Sequence, residues 1–323
     1  MTTGPKATPG APAPFLPLFL LLVLGSLWGL SPAFTKFLAL EGIPPIGAVF
    51  WQTLIAGTGL LIMCRIRRVK IGLDRKYLVF FAVMGAVGIA LPNSNMVFVV
   101  GHIPAGLMSV IIVTAPVITY VVAVAIGLEV LDFRRAAGVL LGLVGVAFLV
   151  LPQGSLPAPE MLSFALLGFI TPIAWALTNV YAEAARPSGA DPMVLAMGTM
   201  YAAALTALIA SLATGTFHPI WRDFDIGEQA LIAYGLVTVA TFFLYFTVVA
   251  LSGAVYLAQV GYITTLMGLG WGAWFYGEEP SAWVWLAVVL VFAGLTLVNL
   301  GKRRQERLKK AAAAVDDKPE SST

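Results

Sequence analysis

The chain has 323 residues, 59% hydrophobic and only 11% charged, with a net charge of +3. A mean hydropathy of +0.92 excludes an ordinary soluble domain, in which about a quarter of residues are charged. Apolar runs of about 20 residues without strand-like alternation exclude a β-barrel, and the basic excess flanks these runs, which assigns it to membrane topology and not to nucleic acid.

Residues 1–14 are rich in Pro, Ala, Gly and Thr and read as a disordered tail. Segment 1, Phe15–Leu38, is too long for a signal-peptide core and lacks a small-residue cleavage site, so it is expected to stay as a membrane helix. Segments 2 to 5 follow at Ile46–Cys64, Tyr77–Val100, Ala105–Leu128 and Ala136–Leu151. A Pro-rich break at 153–160 separates them from segments 6 to 10 at Met161–Ala184, Met193–Ala213, Ala230–Leu251, Ala254–Tyr276 and Trp283–Leu300. Residues 301–323 form a basic and then polar tail. The single Cys64 leaves neither an intramolecular disulfide nor a cysteine metal cluster.

Two of these segments repeat one another. Ala105–Glu129 contains Pro116 and ends Gly127-Leu128-Glu129; Ala254–Glu278 has the same length and ends Gly277-Glu278, with 149 positions between the two glutamates. Each leads into another apolar run, and Gly145 and Gly294 fall in register at that displacement. Self-similarity on this scale points to a duplicated membrane bundle, and an odd number of crossings per half turns the halves opposite ways. The expected fold is therefore an all-α polytopic membrane protein, ten transmembrane helices in two inverted five-helix repeats, 15–152 and 161–300, joined by a periplasmic linker at 153–160. Seventeen of the 19 Lys and Arg lie on the side of the termini, leaving Arg222 opposite and Lys36 inside segment 1, so both termini are expected in the cytoplasm of a bacterium, with the chain in its inner membrane.

The pattern of Trp28-Gly29 with Lys36 one to two turns on, Pro104-Ala105-Gly106 opening segment 4, and the Pro116 to Glu129 stretch with its echo resembles the drug/metabolite transporter superfamily, specifically its EamA-type carriers. The resemblance covers about Phe15 to Leu300 and implies an inverted-repeat carrier that exports small metabolites through a cavity lined by segments 1, 3, 4, 6, 8 and 9. Two positions depart from the family pattern: Gln52 stands where an arginine is common, and Thr265, opposite Pro116, stands where a proline is common. These changes remove a fixed positive charge and a helix discontinuity, either of which bears on an anion site.

Polar groups inside a membrane are costly, so each is a functional candidate unless it reaches water or a backbone carbonyl. Lys36 either snorkels to the nearby interface or enters a cavity opened by a kink at Pro32. Trp28 and Trp175, 147 positions apart, occupy matching mid-helix places in the two halves; an aromatic belt sits at helix ends, so they are expected to face one cavity. The deep polar residues Asn93, Asn95, Thr114, Asn179, Tyr245, Gln259 and Tyr262 suit a neutral or zwitterionic ligand, with interhelical hydrogen bonding as the alternative. Pro32, Pro92 and Pro116 are expected to provide bends for gating. Gly138, Gly142 and Gly145 share one helix face suited to close packing, either within the fold or in a homodimer.

Every carboxylate falls at a segment end or in a loop, with Glu129 and Glu278 expected to fix loop geometry, so transport without proton coupling is expected. His102 and His218 lie in different loops, and neither a metal spacing nor a nucleophile with a base is present, which argues against an enzyme and implies no cofactor. The expected function is export of a small polar or amphipathic metabolite such as an amino acid; the alternative is a flippase for a lipid or lipid-linked precursor, which would want a charged clamp for its head group.

Overall fold

A computed structural model describes residues 16–150, 158–221, 224–257 and 259–316, and among them every regular element is helical. The expected tail at 1–14, the final residues 317–323 and most of the 153–160 linker lie outside the described residues. The first half comprises α1 (Leu16–Gly29), α2 (Ser31–Leu40), α3 (Pro45–Ile66), α4 (Arg75–Gly85), a π-helical turn (Ala86–Ala90), α5 (Leu91–Val100), α6 (Ala105–Ile112), α7 (Ala115–Ala125) and α8 (Phe133–Val150). The second comprises α9 (Met161–Gly168), α10 (Ile170–Ala185), α11 (Pro192–Ala213), α12 (Ile226–Leu257), α13 (Val260–Tyr276) and α14 (Ala282–Asp316). Among the described residues eight helical stretches, counting α1–α2, α4–α5, α6–α7 and α9–α10 as continuous, are long and apolar enough to cross a membrane. The shorter apolar helices α8, with 18 residues, and α13, with 17, pack into the same bundle.

Proline explains where the stretches break. Pro32, Pro92, Pro116 and Pro172 each lack the amide that would bond the carbonyl four residues earlier, which loosens the helix just ahead of the ring. The α1–α2 break falls at Leu30, the π turn ends just before Pro92, α6 gives way to α7 at Val113 and Thr114, and α9 gives way to α10 at Phe169. No proline interrupts α13, and it runs unbroken from Val260. Two boundaries differ from expectation. Helix α12 continues through Ser252 and Gly253 to Leu257, because nothing in that stretch removes a donor, and α14 continues past Leu300 to Asp316.

The repeated Gly-to-Glu endings have a backbone reason. Gly127 (φ 78°) ends the run of α7, and Gly277 (φ 61°) caps α13 in the left-handed region, a conformation open to glycine at little cost. The bundle is organised by close pairings, foremost α8 with α14 and α3 with α11, then α1 with α13, α3 with α12, α4 with α11, and α7 with α10. In the first, a side chain at Gly138 would collide with the carbonyl of Gly294, so the glycine face of α8 is used inside the fold.

Candidate functional site

A cavity of about 530 Å³ lies in the middle of the bundle, walled by α1, α2, α3 and the α4–α7 stretches on one side of the duplication and by α10 to α14 on the other. Helix breaks place much of its wall. Trp28, Ser31 and Pro32 line it around the α1–α2 break, Asn93 just after Pro92, and Ile112, Val113 and Pro116 around the α6–α7 break. Trp175 enters from α10. Five of the expected residues therefore meet at one cavity: Trp28, Asn93 and Trp175 as walls, and Pro32 and Pro116 at the bends.

The other expected residues lie elsewhere, and their partners say why. Asn95 points one face away from Asn93 and donates to the Leu167 carbonyl and the Thr171 hydroxyl, tying α5 to α9 and α10; the same threonine donates to the carbonyl of Pro92. Thr114, buried at the α6–α7 break, donates to the Ile111 carbonyl. Tyr245 packs its ring on Trp28 with centroids 5.8 Å apart, behind the cavity wall. Gln259 starts α13, Tyr262 pairs its hydroxyl with Thr296 while its ring meets Phe292 edge-on, and Asn179 is exposed on α10 outside the lining.

Lys36 also turns away from the cavity. Its ammonium pairs with Glu278 at 2.5 Å and sits 4.8 Å from the Tyr276 ring centroid. The same carboxylate accepts from the backbone amides of Ala105 (2.7 Å) and Gly106 (2.8 Å), which open α6. A carboxylate at a helix N-terminus satisfies otherwise unpaired donors and meets the positive end of the helix dipole. Glu278 thus ties α2, α6 and the α13–α14 turn together, beside a second cavity of about 430 Å³ lined by Pro104, Leu269 and Glu279 among others. At the opposite end of the same span, Glu129 pairs with Arg135 (2.9 Å), whose guanidinium lies 3.8 Å over the Tyr120 ring.

Several wall residues were not singled out as ligands from sequence. Asn93 Nδ2 donates to Gln52 Oε1 (3.3 Å), and Gln52 Nε2 donates to the Thr238 hydroxyl (3.2 Å), so a carboxamide pair bridges α3, α5 and α12. Tyr234, Thr264 and Asn299 add further polar groups to the wall, with Ser31, Ser109, Thr241 and Thr265 beside them. Gln52 drew notice only as a departure from a family pattern, although an amide midway along a 22-residue apolar helix is the signal that intramembrane polar groups give. Among the described residues none that lines this cavity carries a charge. Among the described residues no group of three or more His, Cys, Asp or Glu is placed to hold a metal ion.

The model of the EamA-like transporter family matches the chain twice, over residues 15–151 and 162–300. Along 313 residues, 97% of this chain and 99% of the relative, the sequence is 24% identical to a Bacillus subtilis (strain 168) protein described as the uncharacterized transporter YvbV. A solved crystal structure of a protein shares the fold with a TM-score of 0.55 at 19% identity, covering 90% of this chain and 98% of that one.

Proposed function

The chain belongs to the EamA-like transporter family over both of its halves, and from that premise we propose that it is a secondary carrier exporting a small polar or amphipathic metabolite, such as an amino acid, by alternating access. The observation that carries this reading is a single central cavity walled by both halves, with Trp28 and Trp175 as matching aromatic walls. Ten crossings in two inverted repeats are part of the reading. The packing pairs support them: α3 with α11 and α8 with α14 join equivalent helices, and α1 with α13 has its counterpart in α10 with α7. The distribution of Lys and Arg supports cytoplasmic termini in a bacterial inner membrane.

The two ends of the cavity differ. Toward Glu278, α2 packs on α5 and α6, and α6 packs on α13. At the Glu129 end, no comparable packing among the described residues joins α10 to α12 or α13, and the space beside Gly261 on the cavity wall is open. This supports a carrier resting closed at the Glu278 end. A wall without carboxylates supports transport uncoupled from protons.

The test is a thermal-shift screen of the purified protein against amino acids, nucleosides, sugars, quaternary amines and lipid-linked precursors. A ligand at a hundred times its Kd stabilises the folded state by about 2.7 kcal/mol. Stabilisation by one soluble class, lost in Trp175→Ala, is the expected result. Stabilisation by lipid-linked molecules alone would transfer the assignment to a flippase. For coupling, a step to acid outside proteoliposomes should leave uptake non-concentrative, and accumulation driven by that step would contradict the uncoupled mechanism.

A further inference from the structure

We infer that the central cavity selects a solute that enters it uncharged, presenting a group with both a hydrogen-bond donor and an acceptor to Gln52 and Asn93, and that Gln52 determines this selectivity. The inference rests on the carrier reading above, sets aside its amino-acid example, and narrows the polar or amphipathic solute to amides, lactams, ureas and similar neutral groups on an apolar body.

Among the described residues the wall supplies no charge to offset a buried ion. Two ion pairs stand near the ends, Lys36 with Glu278 and Arg135 with Glu129, and neither pair lines the cavity. A lone ammonium or carboxylate moved into such a space loses its hydration without a counter-charge, and a zwitterion loses it twice, whereas an amide recovers its smaller loss through hydrogen bonds.

The polar corner is built to return those bonds. Gln52 is only 5% exposed and still borders the cavity. Its oxygen takes one Asn93 N–H and its amide gives one N–H to Thr238, at 3.3 and 3.2 Å. These are long bonds, so exchanging them for ligand bonds loses little. The Tyr234 hydroxyl also lies within hydrogen-bond reach of the Gln52 amide, which leaves the second N–H and the oxygen of Asn93 without a partner among the described residues. What is left over is one donor and one acceptor on the same amide. An anion would use the donor and face the Asn93 oxygen, a cation the reverse, and an amide or lactam would use both.

The α13 wall offers a second unsatisfied group. Thr35, Thr53, Thr178 and Thr265 each donate to a carbonyl one turn back, but the buried hydroxyl of Thr264 has no partner. An unsatisfied buried hydroxyl costs about 1–3 kcal/mol, and a χ1 rotation would turn it toward a ligand acceptor. The apolar body of the solute then lies against Trp28 and Trp175.

The test compares a matched series at neutral pH, 3-phenylpropanamide, 3-phenylpropanoate, 3-phenylpropan-1-amine and phenylalanine, by tryptophan quenching on the intact protein in nanodiscs. The amide should bind at least tenfold more tightly than the other three. Gln52→Leu should weaken the amide at least tenfold, and Gln52→Lys should turn the preference toward the carboxylate. Thermal melting establishes that each variant is folded, and Thr238→Val, which frees one Gln52 N–H without removing the amide, serves if Gln52→Leu is not. In Thr238→Val the preference for the amide should persist; its loss there would refute the selectivity. An ion or phenylalanine binding within tenfold of the amide, with all binding lost in Trp175→Ala, would overturn the neutral selectivity and leave the carrier reading intact. Unchanged amide affinity in a folded Gln52→Leu would overturn the role of Gln52. Failure of this series and of the broader ligand screen together would overturn both.

Discussion

The two glutamates that close the repeated motif do different work at the two ends of the molecule. Glu278 reaches across the duplication to Lys36, 242 residues away, and to the amides of Ala105 and Gly106 in the first half. Glu129 stays within its own turn and holds Arg135, six residues on. The displacement that relates Trp28 to Trp175 carries Lys36 onto Glu183, so the Glu129 end has a carboxylate where the other end has its ammonium. A like charge cannot complete the tie. The family model matches both halves, and in the proposed carrier this charge difference ties the Glu278 end across the halves while Glu129 is tied within its own turn.

This contrast can be broken most strongly at Glu278. Glu278→Ala leaves Lys36 largely buried and two helix-end amides unpaired, and should destabilise the fold by about 2–4 kcal/mol, read as a fall in melting temperature and as new solvent access to the cavity from that end. Glu129→Ala also leaves a buried cation, since Arg135 is 3% exposed, and should cost about 2–4 kcal/mol even with the Tyr120 ring retained, but it should leave access from the Glu278 end unchanged. Gly272→Ala should act like a weaker Glu278→Ala. A Cβ there collides with the Glu278 carboxylate and crowds the amide of Gly106, whereas Gly270→Ala, with open space around it, should shift stability by no more than about 1 kcal/mol in either direction. The smallest effect is expected from Glu183→Lys, which gives the Glu129 end the missing charge. It should gain well under about 1 kcal/mol as an exposed pair, and slow labelling of the cavity from the Glu129 end is its readout.

Sequence reading reached the class, three of the four proline breaks (it missed the one ahead of Pro172) and the aromatic pair because each has a strong local cause. Proline removes a named hydrogen bond, and matching tryptophans survive duplication. It did not reach the faces. In a membrane bundle, lipid-facing and core-facing sides are both apolar, so periodicity cannot tell which side of α5 carries a ligand group, and Asn93 and Asn95 looked alike although one lines the cavity and the other staples helices. The partner of Lys36 was equally hidden, since an ion pair across 242 residues leaves no local trace. The glycines of α8 were legible as a packing face, but their partner Gly294 emerged only from the fold.

The most direct measurement is side-specific labelling of a cysteine placed on the cavity wall, Ile112→Cys in a background where the buried Cys64 is replaced by alanine, using a membrane-impermeant maleimide on vesicles of either orientation. With the Lys36 pair intact, the thiol should react only from the side of Arg65 to Lys76, and adding Glu278→Ala should make it reactive from the other side as well. Labelling from the Glu278 side while the Lys36 pair is intact, or from neither side in both proteins, would contradict alternating access around this cavity.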